Sequence, residues 1–315
     1  MQHTVSRPVE LSGVGLHSGA ETVLRLLPAD VGAGLTFCRV DVADRDNLIP
    51  ARWDSVVDTR LCTVVANKAG VSVGTIEHLM AALSACGVDN AVIELDGPEV
   101  PIMDGSSEPF VQAIRDVGLK TQTAPRRAIR ILKDISVVDG DKSVVLKPGV
   151  GSRFQVAIDF SHPSIGKQAF AIELMNGDFE AKISDARTFG FAHEVKALRA
   201  MGLALGGSLE NAVVLDDKAI LNPEGLRHAD EFARHKVLDA VGDIYIAGGQ
   251  ILGHYEAVKP GHNMNNRVLH ELFAHPDHWE WVDLYIDMLA DPVVVSPAVI
   301  TQDVKPAAQS AIVAA

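Results

Sequence analysis

Residues 74–87, GTIEHLMAALSACG, mark the point where the chain stops alternating and starts to wind. Ile76, Leu79, Met80 and Leu83 recur at the spacing that gathers apolar side chains on one helical face, and Gly87 stops the run. Upstream the pattern is strand-like. Two runs, VELSG (9–13) and ETVLRLL (21–27), flank the glycine loop GVGLHSG (13–19), and the short pieces LTFCRV (35–40) and LCTVVA (61–66) follow, separated by the charged stretch DVADRDN (41–47). GVG here leads into a strand. A dinucleotide loop needs a following helix N-terminus to hold a pyrophosphate, so that reading is rejected and a hairpin expected. Downstream lie a strand, AVIELDG (91–97), a Pro/Gly-rich turn, PEVPIMDGSSEP (98–109), and a second helix, PFVQAIRDVG (109–118).

The polar, basic segment TQTAPRRAIR (121–130) is the best candidate domain boundary, placed near Pro125. Strands around AIRIL (128–132), SVVLKP (143–148) and RFQVAIDF (153–160) come next, and later the helix DEFARHKVLDAVGDIYIAG (230–248). Each half thus runs strands first and a polar-faced helix later, so the expected class is α+β, with domains at 1–125 and 126–285. Beyond residue 285 the chain turns nearly featureless, and 286–315 is expected to be a loosely ordered tail.

Composition narrows the function. With 28 basic and 41 acidic residues the net charge is -13, which repels a phosphate backbone and an anionic bilayer, so nucleic-acid binding is not expected. Cys38, Cys62 and Cys86 are an odd set with no C-x-x-C spacing, which speaks against a disulfide framework or a Cys-ligated zinc and for a reducing compartment. Neither a signal-peptide run nor a transmembrane stretch is visible, and a cytoplasmic location is expected.

The strongest chemical signal is His235-x-x-x-Asp239, two side chains on one helical face, with Asp243 continuing the stripe a turn later. Alone, such a pair is more often a surface hydrogen bond than a metal site. Glu77-His78 adds support, because this pair is costly to bury beside apolar neighbours unless something binds it. The alternative is a partly exposed helix start near Thr75, where the macrodipole favours a Glu. Two imidazoles and one carboxylate have the composition of a catalytic zinc site, with Glu77 as base. The spacing excludes H-E-x-x-H metalloproteases. In the polar loop KPGHNMNN (259–266), His262 has the right chemistry for a proton donor, and Asp243 can keep it protonated. DARTFGF (185–191) offers the Thr188 hydroxyl and the rings of Phe189 and Phe191, and MGLALGGSLENAVVL (201–215) suits the wall of a channel for an aliphatic chain.

Taken together, TIEHLMAAL, VPIMDGSSEPF, DARTFGF, GGSLENAVV, FARHKVLDAVGD and KPGHNMNN closely resemble the UDP-3-O-acyl-N-acetylglucosamine deacetylase family, in family order and over almost the whole chain. The resemblance implies two β-α-α-β sandwich domains with the active site between them, and a committed step of lipid A synthesis in Gram-negative bacteria. It implies His78, His235 and Asp239 as ligands of Zn2+, or of Fe2+, which such a donor set also accepts. It further implies Glu77 as general base, His262 as general acid with Asp243 as its partner, and Thr188 as an aid in polarising the amide oxygen. Lys236 would be a substrate-contacting cation, and Phe160 and Phe189 would lie beside the sugar-nucleotide. Leu61 and Cys62 would form the mouth of an acyl passage walled by an insert at about 190–215. The rival reading is a non-catalytic sugar-nucleotide or lipid-binding protein that keeps a structural metal. It leaves Glu77 and His262 without a task.

Overall fold

A computed structural model describes residues 1–284; the anticipated tail at 286–315 lies outside the described residues. The first half contains β1 (His3–Val5), β2 (Val9–Val14), β3 (Glu21–Pro28), β4 (Leu35–Arg39), β5 (Leu48–Pro50), β6 (Val56–Asp58), β7 (Val64–Ala66), β8 (Ser72–Val73), α1 (Glu77–Cys86), β9 (Ala91–Leu95), α2 (Glu108–Val117) and β10 (Leu119–Thr121). The glycine loop is a hairpin turn: β2 and β3 pair antiparallel from Val9↔Leu26 to Val14↔Glu21. Five strands form a mixed sheet in the order β2-β3-β9-β4-β5, in which β4 and β9 run parallel. Alternation along β3 buries Thr22, Leu24 and Leu26 on one face, as period two requires. Helix α1 covers the core with Ile76, Leu79, Met80 and Leu83, all essentially inaccessible. Gly87 ends it at φ +76°, a left-handed cap donating to the carbonyls of Leu83 and Ser84.

The second half adds β11 (Arg126–Ile131), β12 (Ile135–Asp139), β13 (Lys142–Lys147), β14 (Ser152–Asp159), β15 (Lys167–Glu173), α3 (Asp178–Lys182), β16 (Phe189–Phe191), α4 (Ala192–Ala200), β17 (Val213–Leu215), α5 (Glu231–Tyr245), β18 (Gln250–Val258), α6 (His262–Ala274) and β19 (Trp279–Leu284). Its seven-stranded sheet is organised on β18, which pairs parallel with β11 and β14 and antiparallel with β13. Among the described residues no strand pairing crosses from one half to the other, yet residues 1–284 pack as one compact unit. The mix of sheets and helices is the expected α+β class.

Helix α5 joins the halves. Phe232, Val237, Leu238, Val241 and Ile244 are buried, and so are the polar His235, Asp239 and Asp243, so this helix has almost no solvent face. It lies against α1, and Gly242 sets the closeness: a Cβ there would come within 1.9 Å of the Glu77 carbonyl oxygen.

One expectation is corrected. His262 does not sit in a loop but is the first residue of α6, with Gly261 extended before it. Met264, Val268, Leu269 and Leu272 form the buried stripe of this helix, and its asparagine-rich first turn masks that periodicity in the sequence.

Candidate active site

The contact between α1 and α5, joined by the start of α6, brings two side-chain sets together. The first is His78, His235 and Asp239, and the second is Glu77, Asp243 and His262; within each set one ligand atom per residue lies within 4.8 Å of the others. Glu77 and His78 are buried, so the partly exposed helix start weighed from sequence is not what forms. Thr75, just before them, takes a left-handed φ of +55° and gives its hydroxyl to buried Glu99 at 2.7 Å, which fixes the approach to α1.

The first set fits a cation. His235 Nδ1 lies 3.0 Å from the Ala186 carbonyl oxygen, which can only accept, so Nδ1 carries a proton and, in the neutral ring, Nε2 presents a lone pair. That lone pair faces Asp239 Oδ1 at 3.2 Å, and His78 Nε2 faces the same oxygen at 3.6 Å. Asp239 Oδ1 is buried without a hydrogen-bond partner. Converging, unsatisfied lone pairs are costly in a dry site and are what a divalent ion satisfies. Burial lowers the His78 pKa, favouring the neutral form that can ligate. Burial also works against the Asp239 carboxylate, but the His235 ring, when charged, and the adjacent Lys236 ammonium overcome it and hold its pKa well below the usual range. The other Asp239 oxygen takes a hydrogen bond from Lys236 Nζ at 2.8 Å, a contact the sequence did not suggest.

The second set is already satisfied. His262 Nδ1 stands 2.8 Å from Asp243 Oδ2, and its Nε2 stands 3.8 Å from Glu77 Oε1. Burial opposes a charge on His262, but Asp243, Glu77 and Asp239 together raise its pKa to about 10, so the imidazolium is the resting form at neutral pH. Burial raises Glu77 to about 7, a movement that His262 resists and Asp243 and Asp239 assist. A carboxyl poised near neutrality suits proton exchange.

The remaining candidates line the approaches. Phe160 and Phe189 meet edge to face with centroids 5.7 Å apart, and Lys236 Nζ sits 5.5 Å from the Phe189 ring centre. Thr188 is held by its backbone, donating to Gly105 O and accepting from Val213 N, each at 2.8 Å. It lines a 390 Å³ cavity with Leu61, Phe189, Leu198, Leu209 and Val214. A neighbouring 480 Å³ cavity is lined by Leu61, Cys62, Leu198, Met201 and Leu203. Burial, with the Glu77 charge added, pushes the Cys62 thiol up to about 12, so it stays protonated and serves as an apolar surface. Sequence reading missed two buried polar neighbours, Thr63 and Asn265, which bond directly to the second set. The signal for Asn265 is its three-residue spacing from His262, legible once α6 is seen as a helix.

With this geometry in place the comparisons with known proteins are decisive. The family model described as UDP-3-O-acyl N-acetylglycosamine deacetylase matches residues 2–274. The chain belongs to this family. Among relatives in the deacetylase family, the UDP-3-O-acyl-N-acetylglucosamine deacetylase of Phenylobacterium zucineum is 50% identical over 292 residues, covering 93% of this chain and 99% of its own. The enzymes of that name from Shewanella sp. strain W3-18-1 and Shewanella denitrificans are 48% and 49% identical over 283 residues, covering 89% of this chain and 92% of theirs.

Proposed function

We infer that this chain is a metal-dependent deacetylase that removes the N-acetyl group of a UDP-3-O-acyl-N-acetylglucosamine and releases acetate, a step of lipid A synthesis. The observation that carries the reading is the pairing of an unsatisfied His-His-Asp set with a satisfied carboxylate–imidazole set where α1, α5 and the start of α6 meet. His78, His235 and Asp239 would hold the ion, which we take to be zinc, with iron(II) accepted by the same donors. When bound, that ion supplies Lewis acidity to the acetamide oxygen and lowers the pKa of a water. Glu77 takes the proton as water adds to the carbonyl carbon. His262, charged against Asp243, gives its proton to the nitrogen as the C–N bond breaks, leaving acetate and a free amine. The Thr188 hydroxyl supports the developing oxyanion.

We assign Lys236, Phe160 and Phe189 to the sugar-nucleotide, and Leu61, Cys62 and the segment at about 190–215 to the acyl chain, on the strength of the two adjoining apolar cavities. We also take residues 1–125 and 126–285 as two α+β domains of similar β-α-α-β architecture, supported by their separate sheets. Three free cysteines fit a reducing, cytoplasmic setting, and no helix among the described residues is long and apolar enough to cross a membrane. Acetate assayed from the purified, zinc-loaded protein on the acylated sugar-nucleotide tests the reading. Stoichiometric acetate and amine are expected, and tight binding without release overturns it in favour of a binding protein.

A further inference from the structure

Besides His262 itself, Thr63 touches both the base and the partner of the acid. It follows Leu61 and Cys62 on the short run into β7 and is itself 1% exposed. Its backbone N–H donates to Glu77 Oε2 at 3.0 Å, and its hydroxyl donates to Asp243 Oδ1 at 2.6 Å. Its carbonyl accepts from Ile76 N at 3.4 Å, tying the same residue to the start of α1. On the far side Asp243 Oδ2 takes two more donors, His262 Nδ1 at 2.8 Å and Asn265 Nδ2 at 2.9 Å, and Asn265 Oδ1 in turn accepts from the buried Tyr255 hydroxyl at 2.6 Å. Asp243 is 2% exposed, so water does not supply these bonds.

Resting on the deacetylase reading above, we propose that Thr63 is a positioning residue: through one main-chain and one side-chain hydrogen bond it fixes Glu77 and the Asp243–His262 pair relative to each other. The physical reason is directional. A carboxylate held by a single donor pivots about its Cβ–Cγ bond, and a bound histidine pivots with it. Donors on both oxygens, Thr63 on one and His262 with Asn265 on the other, leave one orientation in which His262 Nε2 points toward Glu77. Proton delivery depends on that alignment more steeply than substrate binding does, so the loss should fall on kcat. The main-chain bond to Glu77 survives substitution. The hydroxyl therefore isolates the arm that holds Asp243.

The experiment compares Thr63→Val, Thr63→Ala and Thr63→Ser as zinc-loaded proteins, measuring kcat, KM, metal content and melting temperature. Val and Ala should each lose about 10- to 100-fold in kcat, the scale of one buried bond to a charged group, with KM changed less than about threefold. Ser restores the donor and should return kcat to within about threefold of the parent, with metal content equal in all. Parent-like kcat in either hydroxyl-free variant overturns the proposal, as does a Ser variant no better than Ala, which would assign the effect to the methyl group. If Val, which sets a methyl against the buried Asp243 carboxylate, does not fold, the Ala and Ser pair decides alone. A parent enzyme that releases no acetate is a different result, and sinks the deacetylase reading rather than the role of Thr63.

Discussion

Two triads that share α1 and α5, the second completed by His262 at the start of α6, are in opposite states. His78 and His235 both face Asp239 Oδ1, which has no hydrogen-bond partner, whereas Glu77, Asp243 and His262 are hydrogen-bonded or ion-paired and accept further donors from Thr63 and Asn265. On α5 the switch between them takes one turn, from Asp239 to Asp243. An arrangement of acceptors without donors calls for a cation, and one with donors matched to acceptors stores a proton. The two chemistries of an amide hydrolase are thus separated by one helical turn.

The comparison breaks most sharply at the metal set. His78→Ala, His235→Ala or Asp239→Ala should each empty the site and reduce turnover to background, because a three-ligand site holds its ion poorly with two. Metal analysis by emission spectroscopy checks this, and full zinc occupancy in any variant removes that residue from the set. Next comes Glu77→Ala, expected to keep its metal while losing roughly 10³-fold in kcat, within the range of general acid–base assistance. Metal loss in that variant would move Glu77 from one triad to the other.

Smaller effects sharpen the proton set. His262 must be charged to donate, so activity should fall as pH rises through its elevated pKa, giving an alkaline limb well above an ordinary imidazole. Asp243→Asn removes the largest of the influences that raise this pKa and leaves burial opposing the charge, so the limb should move to lower pH. The rate should fall by about 10-fold or more while zinc content is unchanged. Combining it with His262→Ala should cost little beyond His262→Ala alone, as for residues acting as one unit. A pH–rate profile of Asp243→Asn that overlays the parent would dismiss the pairing. Least tied to either triad is the acyl end: a substrate without its 3-O-acyl chain should lose affinity by up to about 0.8 kcal/mol for each methylene no longer buried. Equal kcat/KM with and without the chain would sink the passage at Leu61 and Cys62 and leave both triads standing.

What could be read in the sequence follows the same physical lines. The α+β class was legible because β3 and β14 alternate cleanly and α1 repeats at helical spacing, patterns fixed by burial on one face. His235, Asp239 and Asp243 were legible because a helix converts four-residue spacing into proximity. Their meeting with Glu77 and His78 could be suggested from the donor chemistry and implied by the resemblance, but its geometry could not be read, since it depends on Gly242 letting two distant helices touch. Helix α6 was hidden by three asparagines in its first turn, each a poor helix former, whose cost is offset by tertiary contacts such as the Tyr255–Asn265 bond. Thr63 was invisible for a plainer reason: a threonine in a strand-like run is ordinary, and only its neighbours make it otherwise.

The crossing at Gly242 reaches beyond chemistry. An ion held, as proposed, by His78 on α1 and by His235 and Asp239 on α5 would cross-link the two halves of the polypeptide, and only when they are docked. Such an ion binds the native state and not the unfolded chain, so its affinity adds to folding stability by mass action. With that site filled as proposed, loss of the ion would leave the chain both idle and easier to unfold. Melting temperature should track free zinc in the parent and lose that dependence in His235→Ala.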